Sequence, residues 1–381
     1  MQTPPVNKLM LAGGLIFGFG CAPAFLPGPV RRPEAATLRA AAGAHLLIGC
    51  AVSSRELQDP RLAALITRQF GCLTAENEMM PAFLVDKSGR FTFGRGDRIV
   101  RFARAHRLPL FGHMLLWHHV TRAWLFQDSA GRPLPRVQAL ANLRRYIDTV
   151  VGHYRGLVRA WDVVNEALSD KEGEYLRDTP ALRAIGGDYI AKAFEYAHAA
   201  DPDAELYYND YNIELPAKRA KALRLLRSLR AQGLRVDAVG IQGHWELGFP
   251  KPSVISDAIR EFHDAGFRVM ITELDVDVLP RTTSGADLVS VETGPDPFPH
   301  GLPASVQRRL ADRYRAIFEA LLKPPGVAMI TFWGLDDADS WLNNFPVKGR
   351  TNYPLLFNRE AEPKPAFFAV LGVLKSRPES R

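Results

Sequence analysis

Cysteine is scarce, three in 381 residues, too few for a disulfide framework. Neither HExxH nor a pair of histidines at helical spacing occurs, which removes the common zinc-hydrolase signatures. No GxGxxG or GxxxxGK[ST] follows the first strand candidate, which argues against an open nucleotide-binding sheet. There is no internal repeat and no low-complexity linker to divide the chain. There is also no basic tail. The net charge of +7 comes from 48 basic against 41 acidic residues, scattered over helical stretches such as KRAKALRLLRSLR. That distribution describes a solvated helical surface better than a nucleic-acid groove.

What is present is ordinary globular material: 47% hydrophobic and 23% charged residues, enough to bury a sizeable core. Lys8 precedes the run LMLAGGLIFGFG, and Cys21 and Ala22-Pro23-Ala24 follow it. The run is too short for a comfortable membrane span and has the form of a secretory signal cleaved near Ala24. Residues 1–24 are therefore expected to be a leader, and the product to be exported to the periplasm or the medium. The competing reading is a lipid anchor on Cys21, against which Gly18 stands where such signals carry a larger aliphatic residue. Cys50 and Cys72 remain, in HLLIGCAV and FGCLTAEN. Buried free thiols are one reading and a disulfide between neighbouring strands is the other.

Short apolar runs alternate with amphipathic helical patterns. The strand candidates are 47–53, 71–77, 108–117, 158–167, 204–210, 236–244, 267–275 and 327–335. Between them, segments such as VQALANLRRYIDTVVGHYR carry apolar residues at helical spacing. Eight strands alternating with helices imply parallel pairing with right-handed crossovers. The expected fold is an α/β architecture, one (β/α)8 TIM barrel, with its active site at the C-terminal ends of the strands.

Those ends are rich in polar and aromatic residues. They carry Glu76-Asn77-Glu78, then His113 and Trp117, then Asn165-Glu166, Asn209-Asp210 and Gln242-Gly243-His244. Glu273-Leu274-Asp275 and Trp333 follow, with Asp336, Asp337 and Trp341 just beyond. A single such residue is usually a cap, but capping does not ask for tryptophans among carboxylates. The mixture suits a sugar: amides and carboxylates bond hydroxyls, and indoles stack on pyranose faces. Two carboxylates on separate strands supply the acid and the second carboxylate that glycoside hydrolysis needs. A hard-cation site would not be built with so many indoles.

The stretches LTAENEM, GHMLLWH, WDVVNEAL, YNDYNIE, VGIQGHW, ITELDV, FWGLDDADSWL and YPLLFNREAEPKPAF also resemble glycoside hydrolase family ten, mostly endo-1,4-β-xylanases. The resemblance runs from about residue 37 to about residue 375. It implies a barrel and a retaining mechanism, with Glu166 as acid/base and Glu273 as nucleophile. It further implies that Asn165 bonds the sugar 2-hydroxyl and that His244 and Asp275 orient the nucleophile. Glu76, Asn77, His113, Trp117, Gln242, Trp333 and Trp341 match positions lining the glycone side.

Two positions depart from the pattern. Met80 stands where the family has lysine, and Val120 where it has glutamine. The catalytic pair is intact, so the expectation is an active enzyme with an open substrate preference: xylan, decorated or short xylo-oligosaccharides, or another β-1,4-glycan. The alternative is a non-catalytic carbohydrate-binding barrel, which would have no need for a matched acid and nucleophile. The expected partner is a β-1,4-linked glycan bound by a monomer, without cofactor, metal or nucleic acid.

Overall fold

Eight of the strands close on themselves. In the computed structural model, which describes residues 36–280 and 294–377, they are β1 (Leu47–Val52), β2 (Cys72–Ala75), β3 (Leu110–Gly112), β4 (Ala160–Asn165), β5 (Glu205–Asp210) and β6 (Ala238–Ile241). A short β7 (His244–Glu246) precedes β8 (Arg268–Asp277) and β9 (Val327–Phe332). All neighbours are parallel, in the order β1 to β6, then β8 and β9, and β9 returns to β1. This is the expected (β/α)8 barrel. The leader residues Lys8, Cys21 and Ala24 lie outside the described residues. Among the described residues no helix is long and apolar enough to cross a membrane.

The helices begin where the sequence marks them. Pro60, Pro180, Pro216, Pro252 and Pro365 each occupy the first turn of a helix, where the missing N–H costs nothing. Asp59 and Thr179 cap two of these helices by accepting from the backbone N–H of Arg61 and Leu182. The apolar helix faces pack on the outside of the sheet and form the larger core, which includes Trp161, Tyr208, Phe262 and Phe332.

Inside the barrel, Cys72, Phe111, Ala160, Tyr207, Ala238, Met270 and Met329 form a second cluster near the N-terminal ends of their strands. Side chains two apart on a strand share a face. One step further along the same inward rows lie His113, Asp162 and Asn209, and beyond Gly240 lies Gln242. The apolar plug thus dictates which residues meet at the open end.

Two boundaries differ most from expectation. The third strand, expected over 108–117, pairs only at Leu110–Gly112. Beyond Gly112 the ladder to β4 is interrupted and resumes as a bridge between Leu116 and Val164, beside the point where β4 also shifts register against β5 between Asp162 and Val164. The sixth, expected over 236–244, is broken after Ile241, where Gly243 adopts φ 87°. His244–Glu246 then pairs with Asp275–Asp277 above the rim. The two thiols are free. Gly49 is level with Cys72, so Cys50 points to the helix side of the sheet while Cys72 points into the barrel. The disulfide alternative therefore fails on geometry.

Candidate active site

At the C-terminal mouth lies a cleft lined by Glu76, Asn77, His113, Trp117, Asn165, Glu166, Gln242, His244, Glu273, Trp333 and Trp341. Every site residue expected from the sequence is on this surface except Asp275. That carboxylate lies fully buried behind His244 and accepts from the Trp341 indole at 2.7 Å. Met80 and Val120, the two departures, line the same cleft together with Phe83.

Glu166 sits at the end of β4 with φ 57°, a left-handed conformation that costs a non-glycine residue free energy unless its surroundings hold it. Here they do. Its N–H donates to the Asn209 carbonyl at 2.9 Å, and its own carbonyl accepts from Arg177 Nε at 3.2 Å. The next two N–H groups, of Ala167 and Leu168, both donate to the Tyr208 hydroxyl, at 3.0 and 3.1 Å. Tyr208 in turn donates to the buried Asp210, which Lys218 also bonds at 2.9 Å. The turn is thus clamped from β5, and the carboxylate is aimed inward, where Trp117 Nε1 and Gln242 Nε2 donate to it at 2.8 and 2.9 Å.

Glu273 faces it from β8. Its Oε1 accepts from Asn209 Nδ2 at 2.7 Å, and its Oε2 lies 3.1 Å from His244 Nε2. His244 Nδ1 lies 3.0 Å from Asp275 Oδ2, so the imidazole bridges two carboxylates. Asn165 Oδ1 accepts from both Asn209 (3.0 Å) and Gln242 (3.2 Å). A chain of uncharged amides therefore joins Glu166 to Glu273.

The two carboxylates are buried alike but protonate differently. For Glu166, burial and the charge of Asp210 outweigh the Gln242 and Trp117 hydrogen bonds and push its pKa up to about 7. For Glu273, burial pulls upward, but the His113 charge and the bonds from His244 and Asn209 overcome it and hold the carboxyl below the ordinary range. Burial would likewise strip His244 of its proton, yet Asp275 and Glu273 push it up to about 10. At neutral pH the site thus pairs an acid near its titration point with an ionised carboxylate beside an imidazolium.

Tyr208 and Arg177 do not stand out as site residues in the sequence, and Asn209 shows there without its role. Asn209 was visible at a strand end, but its partners Asn165 and Glu273 are 44 and 64 residues away. Tyr208 reads as an ordinary buried aromatic of β5.

A closed parallel barrel whose mouth holds a split-pKa carboxylate pair among indoles defines a glycoside hydrolase. The profile of glycosyl hydrolase family 10 matches residues 37–373, and the chain belongs to that family. It is 39% identical over 340 residues to endo-1,4-β-xylanase B of Paenibacillus barcinonensis, covering 89% of this chain and 98% of that protein. Among solved structures, a family-10 endoxylanase from a sugarcane soil metagenome superposes with TM-score 0.83 at 38% identity, over 89% of this chain and 99% of that one. A mutant solved in complex with xylotriose gives 0.80 at 33% identity, over 88% of this chain and 99% of that one.

Proposed function

We propose that this glycoside hydrolase is a retaining endo-β-1,4-xylanase. The observation that carries the reading is that Glu166 and Glu273 face one cleft, buried alike, in surroundings that shift their pKa values in opposite directions. Glu273 attacks the anomeric carbon while Glu166 gives its proton to the departing glycosidic oxygen. Glu166, now a carboxylate, then takes a proton from the water that opens the glycosyl-enzyme intermediate. His244, held by Asp275, keeps Glu273 ionised, and the Asn165 amide bonds the sugar 2-hydroxyl. The reading requires the two carboxyl groups to stand about 5–5.5 Å apart, the retaining separation. Glu76, Asn77, His113, Trp117, Gln242, Trp333 and Trp341 hold the glycone side.

Xylan as substrate is supported by the names of the related xylanases and by the xylotriose complex of a structural relative. A leader over residues 1–24, a catalytic domain over 37–375, export and a monomeric state complete the proposal.

Product analysis on a panel of β-1,4-glycans tests it. Xylan should release xylo-oligosaccharides whose first-formed anomer is β, and Glu273→Ala should lower the rate by several orders of magnitude. A first-formed α anomer would overturn the mechanism, and a glucan cleaved while xylan is untouched would overturn the substrate. Restoring polarity with Met80→Lys and Val120→Gln should raise kcat/KM on unsubstituted xylo-oligosaccharides, by about tenfold for one new charged hydrogen bond.

A further inference from the structure

Trp117 is followed by two adjacent histidines, His118 and His119, which the mechanism does not use. A ring nitrogen of each and a carboxylate oxygen of Glu166 all lie within 4.8 Å of one another. We propose that these three residues form an inhibitory site for a borderline divalent cation, Zn²⁺ or Cu²⁺, which binds by capturing the acid/base carboxylate. The inhibitory effect rests on the role given to Glu166 above; the site itself does not.

Two imidazoles and one carboxylate are the donor set of zinc and copper sites, and a poor one for calcium or magnesium. Three atoms no more than 4.8 Å apart share a centre within about 2.8 Å of each. Reaching bond lengths of about 2.0–2.1 Å asks for a shift of at most about 0.8 Å per ligand. His119 is exposed, and its ring centroid lies 4.1 Å from that of His118, so the two imidazoles already stand side by side. His118 Nδ1 is buried and has no hydrogen-bond partner, so a lone pair is available without breaking a bond. Arg177 and Lys218, whose charges oppose a cation at His118, are themselves ion-paired, Arg177 with Asp170 and Lys218 with Asp170 and Asp210, which weakens that repulsion. A cavity with both apolar (Leu116, Phe126) and polar (Thr121, Arg122, Gln127) lining opens beside Glu166 and His118 and leaves space for a fourth, water ligand. No bond between carbon, nitrogen or oxygen atoms changes; the Glu166 O–H gives its proton to solvent, the freed oxygen binds the ion, and the acid step stops.

The test is calorimetric titration of chelator-stripped full-length protein with ZnCl₂, run in parallel with inhibition of hydrolysis, on wild type and His119→Ala. The expected result is one site in wild type, with half-inhibition at the concentration that half-fills it. Losing even an outer partner of a metal ligand costs about 10–100-fold in affinity, so His119→Ala should weaken binding at least that much. It should keep its metal-free activity and resist Zn²⁺. Equal Zn²⁺ affinity in the two proteins, or no binding to wild type, would overturn the site; binding without inhibition would overturn its effect. Heat released by Zn²⁺ but not by Mg²⁺, and lost in His119→Ala, would support the site even if xylan proved not to be the substrate.

Discussion

Trp117 serves the site twice, with an indole face along the cleft and an Nε1–H that donates to Glu166. That bond favours the ionised carboxylate. Trp117→Phe keeps an aromatic face and removes the donor, so the Glu166 pKa should rise above about 7. The sign follows directly: Glu166 must be protonated to act as acid, so activity falls as pH rises through its pKa, and the variant's alkaline limb should move to higher pH. The acid limb belongs to Glu273, which works only when ionised. Because its pKa is depressed, that limb should lie below the ordinary glutamate range and stay in place in Trp117→Phe. A kcat/KM–pH profile of both proteins, which reports the free enzyme, checks the pair of statements.

At the scale of elements, β5 does the work of a template. Its inward Asn209 holds Glu273, while its outward Tyr208 and Asp210 clamp the turn of Glu166. Tyr208→Phe leaves two buried N–H groups without an acceptor, a loss of about 1–3 kcal/mol of stability. It should also lower kcat with little change in KM, measured by denaturant unfolding and steady-state kinetics. Gly240 on the neighbouring strand is equally constrained, because a Cβ there would stand 2.3 Å from Asn209 Oδ1. Gly240→Ala should push that amide off Glu273 and cost about 1–3 kcal/mol, read by the same two measurements. The strand-end residues were legible in the sequence because period-two alternation shows which side chains share a face. The break at Gly243, the shift in β4 and the Tyr208 clamp were not, since each depends on a neighbour more than twenty residues away in the chain.

For the whole molecule, the buried site groups tie stability to pH. Burial pushes Glu56 and Glu166 up from 4.5 to about 7, and His244 is raised from 6.5 to about 10. A raised folded pKa means that the folded state holds the proton more tightly. The two glutamates therefore contribute fully below pH 4.5, and that contribution fades as pH rises through about 7. His244 contributes fully below 6.5 and loses its part toward about 10. The thermal midpoint should peak on the acid side of neutrality and fall steadily from pH 6 to 9, as scanning calorimetry in a pH series would show.

Cys50 and Cys72 stand on opposite faces of one sheet, and burial holds both thiols well above their ordinary range, Cys72 at about 12. Neither becomes a thiolate at working pH, and the two have no path to each other. The barrel they sit in is in this respect chemically deaf: an oxidant has no bond to make here and a reductant none to break. The working life of the folded barrel is thereby uncoupled from the redox state of its surroundings.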